Sequence, residues 1–137
     1  VKSFAAVAKN LSMEHVLIVH GFDGLDEITI TNKTYVAELK DNSRNEYEIS
    51  PKDFGLNFGQ LSEIIAQSSD DSLQLIREAF SGEKSAVQDM IALNSGAALY
   101  LAKVVHSIAD GVELSFELMN NGMAADKLAS YVRVSNS

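Results

Sequence analysis

The sequence predicts an α/β chain: one buried strand plus an antiparallel meander packed against a bundle of helices. Val16, Leu17, Ile18 and Val19 form a continuous apolar run, the pattern of a strand covered on both faces. Between residues 27 and 49, apolar side chains alternate with polar ones between turn residues. From Ser50 onward the apolar spacing lengthens to three and four, behind serines able to cap helices.

A chain of 137 residues, 46% of them hydrophobic, fits one domain over 1–137 and can bury a real core. Its net charge of −8 argues against nucleic acid and against an anionic membrane as partner. A phosphate substrate is still compatible if a metal or backbone donors offset the acidity. The absence of cysteine removes disulfides, thiolate zinc sites and cysteine nucleophiles, and suits a cytoplasmic protein. No apolar run approaches the roughly 20 residues of a membrane span, and no signal peptide is visible. The opening at Val1 rather than Met reads as a piece of a longer protein.

Lys2 to Leu11 carries Phe4, Val7, Ala8 and Leu11 at helical spacing and feeds the Val16 strand. That strand runs into VHGFDGLDE, where Gly21 and Gly24 permit a sharp turn. Three strands are expected next, at Glu27–Thr31, Thr34–Leu39 and Arg44–Ile49, with turns at Thr31-Asn32-Lys33 and Asp41-Asn42-Ser43. One face of this meander is polar, and Tyr47 and Ile49 lie opposite Arg44, Glu46 and Glu48. Ser50, Pro51 and Asp53 start a short helix. A helical turn is expected within Leu61 to Ala66. Ser68-Ser69-Asp70-Asp71 resembles a cap for a helix whose stripe is Leu73, Ile76, Ala79 and Phe80, stopped by Gly82. Ser85 to Val105 is the longest helical stretch, and its small residues Ser95, Gly96, Ala97 and Ala98 allow a close neighbour. Ser107 caps the next helix, with Ile108, Val112, Ser115, Phe116 and Met119 inward. Ala124 to Val132 follows with Ala125, Leu128, Ala129 and Val132 inward, and Val134 to Ser137 reads as a fraying tail.

The candidate chemistry is concentrated in Asp26 and Glu27. They stand just past the carboxyl end of the Val16 strand, the end at which open parallel α/β sheets bind ligands. Adjacent carboxylates suit Mg²⁺, which keeps several waters and bridges substrate phosphates; the same turn also reads as a plain solvated acidic loop. No P-loop, GxGxxG, HExxH or GxSxG pattern is present. His15 and His106 read as surface residues. His20, at the strand end, reads more readily as structural than catalytic. Asn94 reads as a core amide with its hydrogen bonds satisfied. Tyr100 and Tyr131 read as core residues with a polar tip. Arg77, Lys84 and Lys103 are scattered and form no phosphate clamp.

The segments VLIVHGFDGLDEI, VAEL, EYEISPKDFGL, GEK, LNSGAALYLAK and SIADGVELSFELMNNGMAADKL, in that order, resemble the anthranilate phosphoribosyltransferase family over nearly the whole chain. The VHGxDGLDE turn and DFGL are the specific parts. The resemblance implies the C-terminal part of a nucleoside-phosphorylase-like large domain. It implies transfer of phosphoribosyl from phosphoribosyl pyrophosphate to anthranilate, with release of pyrophosphate, in tryptophan biosynthesis. It implies Mg²⁺ as cofactor, held by Asp26 and Glu27, with Asp23 and Gly24 shaping the turn. The intact enzyme is expected to be a homodimer. The family's glycine-rich phosphate loop, Lys-His-Gly-Asn segment, anthranilate-binding arginine and helical domain match nothing in these residues. Residues Gln67 to Ser72 also depart from the family's wording. No catalytic residue is therefore assigned here, and the isolated chain is expected to be inactive and to self-associate. A nucleic-acid-binding, non-enzymatic relative of the same fold and a pyrimidine nucleoside phosphorylase are the competing readings. The charge disfavours the first, and the DGLDE turn the second.

Overall fold

The computed structural model describes residues 2–136. In chain order its elements are α1 (Lys2–Asn10), β1 (His15–Gly21), β2 (Thr34–Lys40), β3 (Ser43–Ile49), tight 3₁₀ turns at Pro51–Phe54 and Leu61–Glu63, α2 (Ser69–Phe80), α3 (Ala86–Leu101), α4 (Ile108–Asn120) and α5 (Met123–Ser135). A small sheet packed on helices is the expected class, but its internal pairing differs from the expectation.

The Val16 strand is not a separate element beside a meander. As β1 it pairs antiparallel with β2, from His15 opposite Lys40 to Gly21 opposite Thr34. Strand β3 pairs antiparallel with the other side of β2. Among the described residues the sheet is thus antiparallel throughout, in the order β1-β2-β3, and no parallel pair stands beside the acid turn. Residues Val16 to Val19 are half-buried. The fully covered strand is the central one: Val36, Ala37 and Leu39 are at most 1% exposed. Asp41 and Asn42 both have positive φ, 50° and 62°. That is the two-residue hairpin turn whose twist matches its strands.

Residues 27–31, expected as a strand, join no ladder, yet Ile28, Thr29 and Ile30 are buried. Their backbone groups find partners elsewhere. The Asn94 side chain pairs with Ile28. Thr34 Oγ1 accepts from the Thr29 N–H at 3.0 Å. The Ile30 carbonyl accepts from Gly59 N–H at 3.0 Å. Alternating apolar residues report burial of one face; they specify a strand only when the backbone has no other partner.

The helix starts match their serines. Ser68, Ser85 and Ser107 accept from the backbone N–H groups of Asp71, Gln88 and Asp110, each at 3.1 Å. At Pro51–Phe54, Asp53 accepts the Ser50 N–H at 2.7 Å. Helix α3 ends at Leu101 rather than Val105, and Lys103 turns the chain with φ 59°. Gln88 donates to the Ala79 carbonyl and to Asn120 Oδ1, tying α3 to the ends of α2 and α4. Helix α5 continues to Ser135. Of the expected tail, residues 134 and 135 are helical, and Ser137 lies outside the described residues. Two apolar faces are open. Phe4 and Val7 of α1 and Leu11 just after it are exposed, as are Ala125, Ala129 and Val132 on the expected inward face of α5, and of the Phe4, Val7, Ala8 and Leu11 stripe only Ala8 is buried. Tyr131 is exposed as well, and is not a core residue. Helical spacing marks an apolar face but not what covers it.

The sheet face that carries Val36, Tyr47 and Ile49 contains a buried polar cluster. Glu38 is 8% exposed. Its carboxylate accepts from Tyr100 at 2.8 Å and Tyr47 at 3.0 Å, and lies 2.7 Å from His15 Nε2. His15 is thus not a surface residue: its side chain is 6% exposed and meets the Tyr100 ring edge-on, centroids 4.8 Å apart. Tyr100, expected as a core residue with a polar tip, is half-buried against the core and bonds through its hydroxyl. Burial alone would raise the Glu38 pKa, but the hydrogen bonds from His15, Tyr100 and Tyr47 outweigh it and lower the value. A carboxylate with a lowered folded-state pKa stabilises the fold above its unfolded value and loses that contribution as pH falls through the folded one. Stability should therefore fall below the ordinary glutamate value of 4.5, more steeply in the wild type than in Glu38→Gln. Glu38→Ala strands two phenols and an imidazole and should cost about 3 kcal/mol. Urea unfolding at pH 7 and pH 4 measures both effects.

Candidate metal centre

The turn that carries Asp26 and Glu27 is pinned at both ends. At its start, Gly21 N–H donates to the Leu25 carbonyl at 2.8 Å, Gly24 N–H to the Gly21 carbonyl at 3.0 Å, and Phe22 N–H to the Lys33 carbonyl at 2.9 Å. Gly24 has φ 97°, a conformation that favours glycine. A Cβ on Gly21 would strike the Asp23 carboxylate and lie 3.1 Å from Thr29 Cγ2. At the turn's far end Ile28 is held by Asn94.

Asp23 is the turn's internal tie. Its carboxylate accepts from Thr29 Oγ1 at 2.6 Å, from Leu25 N–H at 3.1 Å and from the Thr31 hydroxyl. Burial would push its pKa up, but the hydrogen bonds from Thr29, Thr31 and Leu25 outweigh it and hold the value below the ordinary carboxylate one. All of its visible bonding is local, so Asp23 shapes the turn as expected.

Asp26 and Glu27 differ from Asp23 in their bonding. All three are exposed, but among the described residues no hydrogen bond or ion pair engages the Asp26 or Glu27 side chain. Glu27 borders an open cleft of about 390 Å³ lined also by Leu25, Ile64, Met90 and Asn94. The donor set fits a hard divalent cation that takes one or two carboxylates and completes its shell with water and substrate phosphates. It does not fit an all-protein cage: among the described residues no group of three or more His, Asp or Glu side chains could hold a metal. The two acids would supply charge and oxygen ligands at a solvent-facing edge.

The other singled-out residues fall elsewhere. His20 is exposed on β1 opposite Tyr35, and His106 is exposed between α3 and α4. Arg77, on α2, lines a separate apolar groove with Leu73, Phe80 and Leu128, and Lys103 pairs with Glu14 at 3.4 Å. Asn94 is the satisfied amide expected from its place in an apolar helix. Its partner, the backbone of Ile28, lies 66 residues away in sequence, and no local signal could have identified it.

The family model described as "Glycosyl transferase family, a/b domain" matches residues 1–125. An anthranilate phosphoribosyltransferase of Vesicomyosocius okutanii is 43% identical over 135 residues, covering 98% of this chain and 40% of that enzyme. One from Acetivibrio thermocellus is 39% identical over 133 residues, covering 97% of this chain and 39% of its own length. The crystal structure of anthranilate phosphoribosyltransferase from Thermus thermophilus superposes with a TM-score of 0.85 at 28% identity, over 97% of this chain and 39% of that one. The Saccharomyces cerevisiae enzyme in complex with PRPP and Mg shares the fold, with a TM-score of 0.82 at 24% identity, over 98% of this chain and 39% of that one. The chain therefore spans about 40% of the length of the relatives it matches. With the family model covering residues 1–125 of 137, this chain belongs to the glycosyl transferase family, in its α/β domain.

Proposed function

We propose that these residues form one domain, 1–137, the C-terminal portion of the catalytic α/β domain of an anthranilate phosphoribosyltransferase. In that reaction the amine nitrogen of anthranilate bonds to the anomeric carbon of phosphoribosyl pyrophosphate. The bond from that carbon to the pyrophosphate oxygen breaks, pyrophosphate leaves with the electron pair, and the amine loses a proton. Mg²⁺, when bound, neutralises charge on the leaving pyrophosphate. Asp26 and Glu27 would hold the ion. Asp23 would keep the turn closed, and Asn94 would fix the backbone beyond it.

The observation that supports this most is the contrast within one turn. Asp23 commits its carboxylate to the protein, while its neighbours Asp26 and Glu27 face solvent unengaged. A turn that served packing alone would not need two further acids, whose mutual repulsion costs stability unless a cation offsets it. The names of the relatives, and the yeast structure with PRPP and Mg, point to the same chemistry. Among the described residues no helix is long and apolar enough to cross a membrane. The intact enzyme is read as a cytoplasmic homodimer.

The test is loss of anthranilate fluorescence with phosphoribosyl pyrophosphate and Mg²⁺. A full-length protein carrying these residues should consume anthranilate. The 137-residue chain alone should not, because it offers acids without a cluster of phosphate donors. With its apolar α1 and α5 faces open, it should also self-associate, which light scattering reads. A full-length protein that leaves anthranilate untouched and instead phosphorolyses a pyrimidine nucleoside would overturn the reading.

A further inference from the structure

We infer that Asn94 is a positioning residue for the Asp26–Glu27 pair, an inference that rests on the metal reading above. Asn94 Oδ1 accepts the Ile28 N–H at 3.0 Å, and its Nδ2 donates to the Ile28 carbonyl at 2.9 Å. The same Nδ2 donates to the Met90 carbonyl at 3.0 Å, one turn back on α3. The amide thus pairs with Ile28 in both directions, as a peptide group on a neighbouring strand would, while its own rotamer is locked to the helix.

Ile28 follows Glu27 directly and belongs to no sheet. The two acids are therefore suspended between two fixed points. One is Leu25, held through Gly21 and Asp23. The other is Ile28, whose backbone N–H and C=O both go to Asn94. Serine or threonine could accept and donate but could not span both groups at once, and leucine or alanine could do neither. Without Asn94 the second anchor is gone, and the carboxylates lose their common direction while the sheet and helices keep their own contacts. Residues that orient metal ligands in this way change affinity without touching the ion.

The test uses the 137-residue chain and Mn²⁺ as a paramagnetic probe of a hard-oxygen site. In the wild type, Mn²⁺ should broaden the amide signals of residues 24–28 before any others. In Asn94→Ala, and in Asn94→Asp, which keeps the acceptor but has no N–H for the Ile28 carbonyl, the Mn²⁺ concentration for half-broadening should rise about tenfold. Amide signals of β2 and β3 should stay in place. Hydrogen exchange supplies a second readout: the Ile28 amide should be protected in the wild type and lose protection in Asn94→Ala. Unchanged half-broadening in folded variants would overturn the inference, as would an unprotected Ile28 amide in the wild type. Loss of fold in both variants would also overturn it, because the amide would then hold the domain rather than the acid pair. Failure of the metal reading is separately visible: the wild type itself would show no preferred broadening at residues 24–28.

Discussion

Gly111→Ala is expected to lower stability by more than about 3 kcal/mol, the largest loss from any single added methyl group in this chain. In an ordinary helix the same change gains about 1 kcal/mol from helix propensity. Here the surroundings reverse the sign. Helices α3 and α4 cross where Gly96 faces Gly111. A Cβ on Gly111 would strike the Gly96 carbonyl oxygen and lie 2.8 Å from both its carbonyl carbon and its Cα. A Cβ on Gly96 would lie 2.6 Å from Val112 N and 2.9 Å from the Gly111 carbonyl carbon. These are backbone atoms, so relief requires the helices to move apart. That separation would loosen Leu93, Ala97, Ile108 and Val112, all in the buried core. Gly122→Ala is the matched control. Its φ of 85° makes alanine strained, but nothing lies within 4 Å of the added atom, so the cost should be about 1 kcal/mol. Urea midpoints at constant m-value separate the two. A Gly111→Ala midpoint equal to or above that of Gly122→Ala would contradict the packing described.

Asp26→Asn in the full-length enzyme is expected to lower kcat/KM by about 10² to 10³, the scale of losing one group that stabilises developing charge in the transition state. The fold should be unaffected within about 0.5 kcal/mol, because the side chain is exposed and engages no partner. Glu27→Gln should act similarly. The double substitution should cost less than the sum, since two ligands of one ion act as a unit. Asp23→Asn should show the opposite profile. It removes the charged acceptor of three hydrogen bonds and should cost about 2 kcal/mol of stability. Its effect on activity would come through loosening of the turn. If Asp26→Asn turned over at the wild-type rate, the metal assignment would fall while family membership stood.

The parts of this fold legible in the sequence are those held by nearby residues. Serine caps at Ser68 and Ser107 could be read because donor and acceptor are three residues apart. The Asp41-Asn42 hairpin could be read because two left-handed residues suffice for it. The small residues around Gly96 could be read as a close-approach site, though not the identity of Gly111 as partner. What escaped depends on distant pairing. The β1–β2 ladder joins residues 13 to 25 positions apart, and no turn signal marks it. Ile28 and Ile30 looked like a strand because Asn94, Thr34 and Gly59 satisfy that backbone from outside the local sequence. His15 looked like a surface residue, since it is buried only where Glu38 and Tyr100 meet it. At the candidate site, Asp26 and Glu27 stood out because they are adjacent acids at a strand end, whereas Asn94 stood out only as a core amide, its partner Ile28 lying 66 residues away.

The most direct measurement is anomalous diffraction from crystals of the full-length protein with phosphoribosyl pyrophosphate and Mn²⁺ in place of Mg²⁺. A manganese peak about 2.1 to 2.3 Å from carboxylate oxygens of Asp26 and Glu27, or joined to them through one bound water, and touching the pyrophosphate, is the expected result. A peak on the pyrophosphate alone, with both carboxylates turned to bulk solvent, would contradict the account.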